Sequence, residues 1–379
     1  MKRFTVLLLL LACSLTAAAQ SPRYTQFKEY RDEADTVRMK QMLDSWGDKD
    51  PEFYAAWANY CQVMAVENLD TTWLEMGVNW AKMGLETYPD DELMLHKTAE
   101  VLFDNEQYAE AFSLLKEIEA RGMDDVTTWM NLATLYIATD DFAQASRYLK
   151  MVIQEGDEEE QAFARETLAP YEEYYSEKES NALHPDHDAI KAFSQTPAFQ
   201  ELTARFEACD TTLTQEEIAT LYYGSSYIRS YDLINAECDD IREMAGEGRI
   251  EEAKEALKEK LKEYPVSLFL LISLFNLTEG EEMVPYVWRG MQLLYVIDHT
   301  GVTGDPDRPF QVICVSDEYT CLQQVYEMSE FLSQDLISGE VGPMDKITFL
   351  NPLGLEMSVF FRITPPYWDR LNSLSRQLE

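Results

Sequence analysis

Four carboxylates bracket a short apolar run in the last third of the chain. Asp305 and Asp307 precede Val312-Ile313-Cys314-Val315, and Asp317 and Glu318 follow it, with Tyr319 next. Acids gathered at a strand end can hold a calcium ion through their oxygens, or let one member stay protonated for general acid work. The chain holds 69 Asp and Glu among 379 residues, so carboxylates meet by chance, and the plainer role for Asp317 is to cap a helix starting there. A second cluster, His184-x-x-His187-Asp188, has the ligand types of a zinc or similar site. Nothing nearby completes a shell, and Asn181, Pro185 and Asp186 around it read as a solvated loop. His96 and His299 stand alone and suggest no catalytic pair. The chain contains no H-E-x-x-H, no G-x-S-x-G, no phosphate-binding loop and no dinucleotide turn. No catalytic residue, metal or cofactor is therefore assigned.

The charge balance narrows the partners. With 31 Lys and Arg, the net charge is -38, which opposes binding to nucleic acid phosphates and to anionic lipid. Hydrophobic residues make up 46%, enough for a core, and the length exceeds what one core usually serves, so two packing units or a repeat array are expected. Lys2 and Arg3, the apolar run Phe4 to Ala12 and Ala17-Ala18-Ala19 have the order of a secretory signal peptide over residues 1–19, too short to span a bilayer. Cleavage after Ala19 would take the net charge to -40. The alternative is Leu10-Leu11-Ala12-Cys13, which loosely resembles a lipoprotein box and would leave a lipid anchor at Cys13. Either way the expected location is exported, periplasmic or at the cell envelope, with no transmembrane helix after cleavage. Five cysteines would remain, an odd and sparse set. Cys314 and Cys321 are the best candidate pair, in a fold that does not depend on the bridge.

The elements that position these groups are dominated by a repeat. Aligning residue 92 with residue 126 sets Leu95 over Trp129, Ala99 over Ala133, Leu102 over Tyr136, Ala111 over Ala145 and Leu115 over Leu149, a constant offset of 34. Large residues on one helix beside small ones on the next, Ala133 and Ala145, let helices approach closely. The pattern resembles the tetratricopeptide repeat, carried in the second copy by Trp129, Leu132, Ala133, Tyr136, Ala145 and Leu149. A degenerate third copy lies upstream, in Trp57, Tyr60, Cys61 and Met64, then Gly77, Ala81, Gly84 and Pro89. Repeats are thus expected over 51–180, preceded by a capping helix over 20–50 with Phe27, Tyr30, Ala34, Val37, Leu43 and Trp46 as its stripe. An acidic helix follows from Glu158, which Pro170 should kink or end. The resemblance implies a concave face lined by Leu93, His96, Glu100, Phe103 and Asp104, then Thr127, Met130, Thr134, Ile137 and Ala138. Basic residues are absent from these positions, so the carboxylate clamp of chaperone-binding members is not carried over. The binding residues expected are Leu93, His96, Phe103, Met130, Thr134 and Ile137, an apolar groove for a helix or strand of another envelope protein or peptide, or for the chain's own C-terminal half.

From 181 to 379 the pattern changes. Thr214-Gln215-Glu216-Glu217 is a capping box opening a helix, and Gly248, Ile250, Ala253, Leu257 and Pro265 fit one more repeat-like turn and helix. A small β-sheet is expected from about 309, with a strand at Val312 to Val315, a hairpin of Lys346 to Leu350 and Leu355 to Ile363, and a partner near Ser329 to Ser338. The segments Asp210 to Thr214, Leu221 to Gly224 and Val315 to Tyr319 resemble an uncharacterised domain-of-unknown-function family, found in exported bacterial proteins after tetratricopeptide repeats. The resemblance implies architecture and envelope location, and no activity. The fold class expected is mainly α, a repeat solenoid followed by a helical segment and a small α+β unit. The function expected is that of a non-catalytic adaptor or scaffold, the alternative being a ligand-binding module or enzyme with its site near Asp317.

Overall fold

The computed structural model describes residues 20–232 and 234–369, so the expected signal peptide over 1–19 and the expected anchor at Cys13 lie outside the described residues. The chain divides into two units, Met1–Glu172 with Leu353–Glu356, and Glu173–Pro352 with Met357–Glu379.

The first unit is helical: α1 Pro22–Asp32, α2 Thr36–Asp44, α3 Pro51–Asn68, α4 Thr72–Thr87, α5 Glu92–Asp104, α6 Tyr108–Ala120, α7 Val126–Ala138, α8 Phe142–Glu155 and the start of α9 Glu158–Ser180. The pairs α3/α4, α5/α6 and α7/α8 are the repeat hairpins. The period is visible in their ends as well as their cores. Asp91 and Asp125, 34 apart, each accept a hydrogen bond from the third amide of their helix, at 3.0 and 2.8 Å. Glu106 and Asp140, also 34 apart, take the left-handed conformation that turns one helix into the next. The small residues do what the pattern requires. Ala99, Ala111, Ala133 and Ala145 are buried, and a Cβ on Gly84 would stand 2.7 Å from Tyr54 Cβ and 2.5 Å from Met94 Cε. Only glycine permits α4 to lie that close to α3 and α5.

Three expectations change here. The single capping helix is two helices, α1 and α2, broken where Ala34 adopts a φ of 52° and Asp35 caps the second. Val37, placed on the inward stripe, is exposed as a result, whereas Phe27, Leu43 and Trp46 form the cap core with Tyr24 and Met39. Pro170 does not end α9, which runs on to Ser180.

The second unit continues with α10 His187–Ser194, α11 Pro197–Glu207, α12 Gln215–Ile228, α13 Ile234–Glu237, α14 Asp239–Gly246, α15 Ile250–Glu263, α16 Leu268–Leu277, α17 Val284–Asp298 and α18 Val315–Gln324. The capping box forms as read, Thr214 accepting from the Glu217 amide and Glu217 from the Thr214 amide. Helix α12 is central, with Ile218, Leu221, Tyr222 and Tyr223 fully buried. Four strands, β1 Phe310–Val312, β2 Glu330–Gly339, β3 Gly342–Leu350 and β4 Glu356–Ile363, form one sheet in the order β1-β4-β3-β2. Strand β1 runs parallel to β4, and β2 antiparallel to β3. The strand predicted to reach Val315 stops at Val312, because Val315 already begins α18. All five described cysteines are free thiols, so Cys314 and Cys321 are not bridged, and each is packed in the core. No helix among the described residues is long and apolar enough to cross a membrane. The architecture is the mainly α solenoid with a small C-terminal α+β unit that the sequence pattern predicts.

Candidate functional site

The acidic cluster does not assemble. Asp317 and Glu318 sit in the first turn of α18 with 1% and 0% exposure. Asp305 and Asp307 belong to a turn near the surface, where Asp305 pairs with Arg308 at 2.9 Å and accepts the Asp307 amide. No group of three or more His, Cys, Asp or Glu that could hold a metal occurs among the described residues. Asp317 does not cap α18 either: the cap position is Cys314, and Asp317 instead accepts a 2.6 Å hydrogen bond from the Tyr222 hydroxyl. That hydroxyl accepts in turn from the Ile313 amide at 3.3 Å. Burial pushes the Asp317 carboxyl up to about 7, against the Tyr222 and Cys314 hydrogen bonds that pull it down. Glu318 is likewise pushed well above the usual carboxylate range, by burial and then by the neighbouring charge of Asp345. Neither Glu318 oxygen has a hydrogen bond within normal geometry. This is a pair of buried acids whose protonated forms burial favours.

The inner face of the repeats differs from its predicted character. Met130 is 7% exposed and belongs to the repeat core. Leu93, Phe103 and Ile137 are half-buried, Leu93 against the α1–α2 cap and Phe103 edge-on to Tyr108 at 5.4 Å. His96 is spent on structure, its Nε2 2.8 Å from the Met123 carbonyl and its Nδ1 3.9 Å from Asp125. Thr134 donates its hydroxyl to the Met130 carbonyl of its own helix at 2.9 Å. Of the six, Met130 is buried and the other five are half-buried, so the inner face offers less free apolar surface than an open groove would. The reason is that aromatic and methionine side chains at these positions pack on the adjacent helix instead of standing clear of it.

What the inner face does carry is a polar chain that single positions did not reveal. Lys97, 3% exposed, donates to Asn59 Oδ1 at 2.7 Å and to Glu100 at 2.5 Å. Gln62 donates to Glu100 at 3.1 Å and to Asp104 at 2.6 Å, and Asn59 donates to the Tyr24 hydroxyl at 3.1 Å. Burial raises Glu100, but Lys97 outweighs it and holds the carboxyl below its usual value. Asp104 lacks a direct cation, and burial followed by the Glu100 charge pushes it up to about 6. The signal was present in the sequence. Asn59 and Gln62 on one helix, and Lys97 and Glu100 on another, are each three apart, on one helical face.

A cleft of about 690 Å³ lies in the second unit between α10, α11 and α12. Leu183, Ile190, Leu202 and Ala219 form its floor, and Asp186, Glu201, Glu216 and Arg205 its rim. Arg205 is committed to Asp210 and Glu217, at 2.8 Å each. Neither Asp317 nor Glu318 lines it. The two histidines of the His184 cluster part company: His184 is on the cleft, while His187 is turned to Gln311 at 3.0 Å and packs on Tyr223.

Residues 102–165 match the tetratricopeptide repeat family, and residues 186–363 match a domain of unknown function (DUF4919). The chain carries a tetratricopeptide-repeat region followed by a C-terminal region that matches a domain of unknown function. The repeat match runs from the last turn of α5 to the start of α9, and includes both left-handed turns, Glu106 and Asp140, that recur at 34 residues. The second match runs from the cap of α10 to the end of β4. The repeat match implies protein partners. No curated protein matches the sequence.

Proposed function

We propose that this tetratricopeptide-repeat protein is an exported, non-catalytic scaffold that holds a segment of another envelope protein on the inner face of its repeats. The observation that carries the reading is the half-buried pair Glu100 and Asp104, bridged by the Gln62 amide, in which Lys97 pairs with Glu100 and Asp104 is left proton-attracting. A partner segment bringing Lys or Arg to Asp104 gains a charge-assisted hydrogen bond there, while the -38 net charge excludes acidic competitors. Export is supported by the leader-like residues 1–19. Sequencing the mature N-terminus is expected to begin at Gln20, and a blocked, lipid-bearing Cys13 would replace secretion by anchoring.

Crosslinking in intact cells tests the surface. A partner captured by the wild type is expected to be lost in Asp104→Lys and kept in Glu201→Lys, with both variants folded. An unchanged partner set in Asp104→Lys overturns the repeat face as the working surface. A second reading rests on the 690 Å³ cleft, whose apolar floor suits a small ligand. Filling it with Ala219→Phe leaves partner capture intact under the first reading and abolishes function under the second.

A further inference from the structure

Strand β2 closes the sheet on one side only. Native edge strands are usually short or carry lysine or proline, because a long apolar edge recruits another strand. The ten residues of β2, Glu330–Gly339, contain neither lysine nor proline, and Phe331, Leu332 and Leu336 are 44%, 41% and 63% exposed. The registers Phe331↔Phe349 and Ser333↔Thr348 make Leu332 the extra residue of a bulge. Alternation from Ser333 then puts Leu332, Gln334 and Leu336 on the face that α18 covers. Tyr319 of α18 marks that face, with its hydroxyl 2.6 Å from Gln334 Oε1 and its ring 6.2 Å from Phe331.

We propose that β2 pairs antiparallel with β2 of a second copy of this chain, about a two-fold axis at Gln334. The argument is self-complementarity. This register sets Leu332 against the other copy's Leu336 twice and Ser333 against Asp335 twice, while the bulge puts Phe331 and Glu330 out of phase with Ile337 and Ser338 and ends the regular pairing there. No like charges stand opposite. Asp335 already faces Lys346 across its own hairpin, which offsets its charge next to the axis. Centring the axis one residue later opposes Asp335 to Asp335, so the charges select the register. The pairing joins two four-stranded sheets into one and satisfies the open edge of both.

Sedimentation of the full chain tests this. The wild type is expected to show a concentration-dependent monomer–dimer equilibrium that strengthens between 0.05 and 0.5 M salt, because screening reduces the repulsion of two chains each carrying -38, by roughly the shortening of the Debye length. Leu336→Lys, at an exposed position, is expected to weaken the dimer tenfold or more. Adding Leu332→Glu to it places each new Glu opposite the other copy's Lys and is expected to restore the dimer. A wild type that stays monomeric at all concentrations overturns the proposal. So does a dimer indifferent to Leu336→Lys, or a double variant no better than the single one.

Discussion

Asp317→Asn is expected to flatten the pH dependence of the second unit. The wild-type carboxyl has a folded-state value of about 7 against 3.8 when unfolded. The folded chain therefore holds a proton that the unfolded chain releases, and the associated stability, complete below pH 3.8, is lost as pH rises toward 7. At about 1.4 kcal/mol per unit, the loss approaches about 4 kcal/mol at neutral pH. Asparagine cannot ionise, and its carbonyl oxygen still accepts from the Tyr222 hydroxyl. The variant should match the wild type at pH 4 and exceed it by up to about 4 kcal/mol from pH 7 upward. Hydrogen exchange of α18 and β1 as a function of pH reads the difference. A constant offset between the two proteins across pH 4 to 8 would show that Asp317 ionises normally in the fold. Glu318→Gln acts in the same direction, since burial and Asp345 raise Glu318 as well.

Lys97→Met is expected to destabilise the first unit by about 3 kcal/mol, in the range for removing one partner of a buried ion pair, lowered because the Glu100 side chain is 25% exposed. Methionine fills the space of the lysine stem but removes the Lys97 donor from both Glu100 and Asn59 Oδ1, leaving the Glu100 carboxylate less well compensated, by Gln62 and the charge of Arg31. Combining it with Glu100→Gln should recover most of the loss, because the uncompensated charge disappears with its partner. Tryptophan emission on denaturation reports the unit well, as Trp46, Trp57, Trp73, Trp80 and Trp129 lie in it and only Trp288 and Trp368 in the other. A double variant as unstable as the single one would assign the role of Lys97 to packing.

The repeat was legible because its positions are under one geometric demand. Each hairpin must bring Ala99, Ala133, Ala111 or Ala145 against a neighbour, and that demand repeats at 34 residues regardless of function. Strand order was less legible, since Phe310–Val312 pairs with Ile363 and its neighbours across fifty residues, and no local pattern announces a parallel partner. The break at Ala34 escaped because alanine normally continues a helix, and only tertiary context holds it at positive φ. The groove had another limit. Family positions say which residues face inward, but whether Met130 or Phe103 stands clear depends on the length and rotamers of its neighbours. The polar chain through Lys97 was missed because charge was counted position by position, while its meaning lies in pairs on two helices.

The free thiols described with the second unit and the repeats impose an order of events on folding. Cys61, Cys238, Cys314 and Cys321 are buried and Cys209 is partly so, with burial holding the thiols in the protonated, unreactive form. In the unfolded chain the same groups are reactive and have no native disulfide to settle into, so any oxidation before the core closes produces a dead end. Refolding yield should therefore depend on reductant, whereas the native protein tolerates an oxidising medium, and the core acts as the lock that keeps thiol chemistry out.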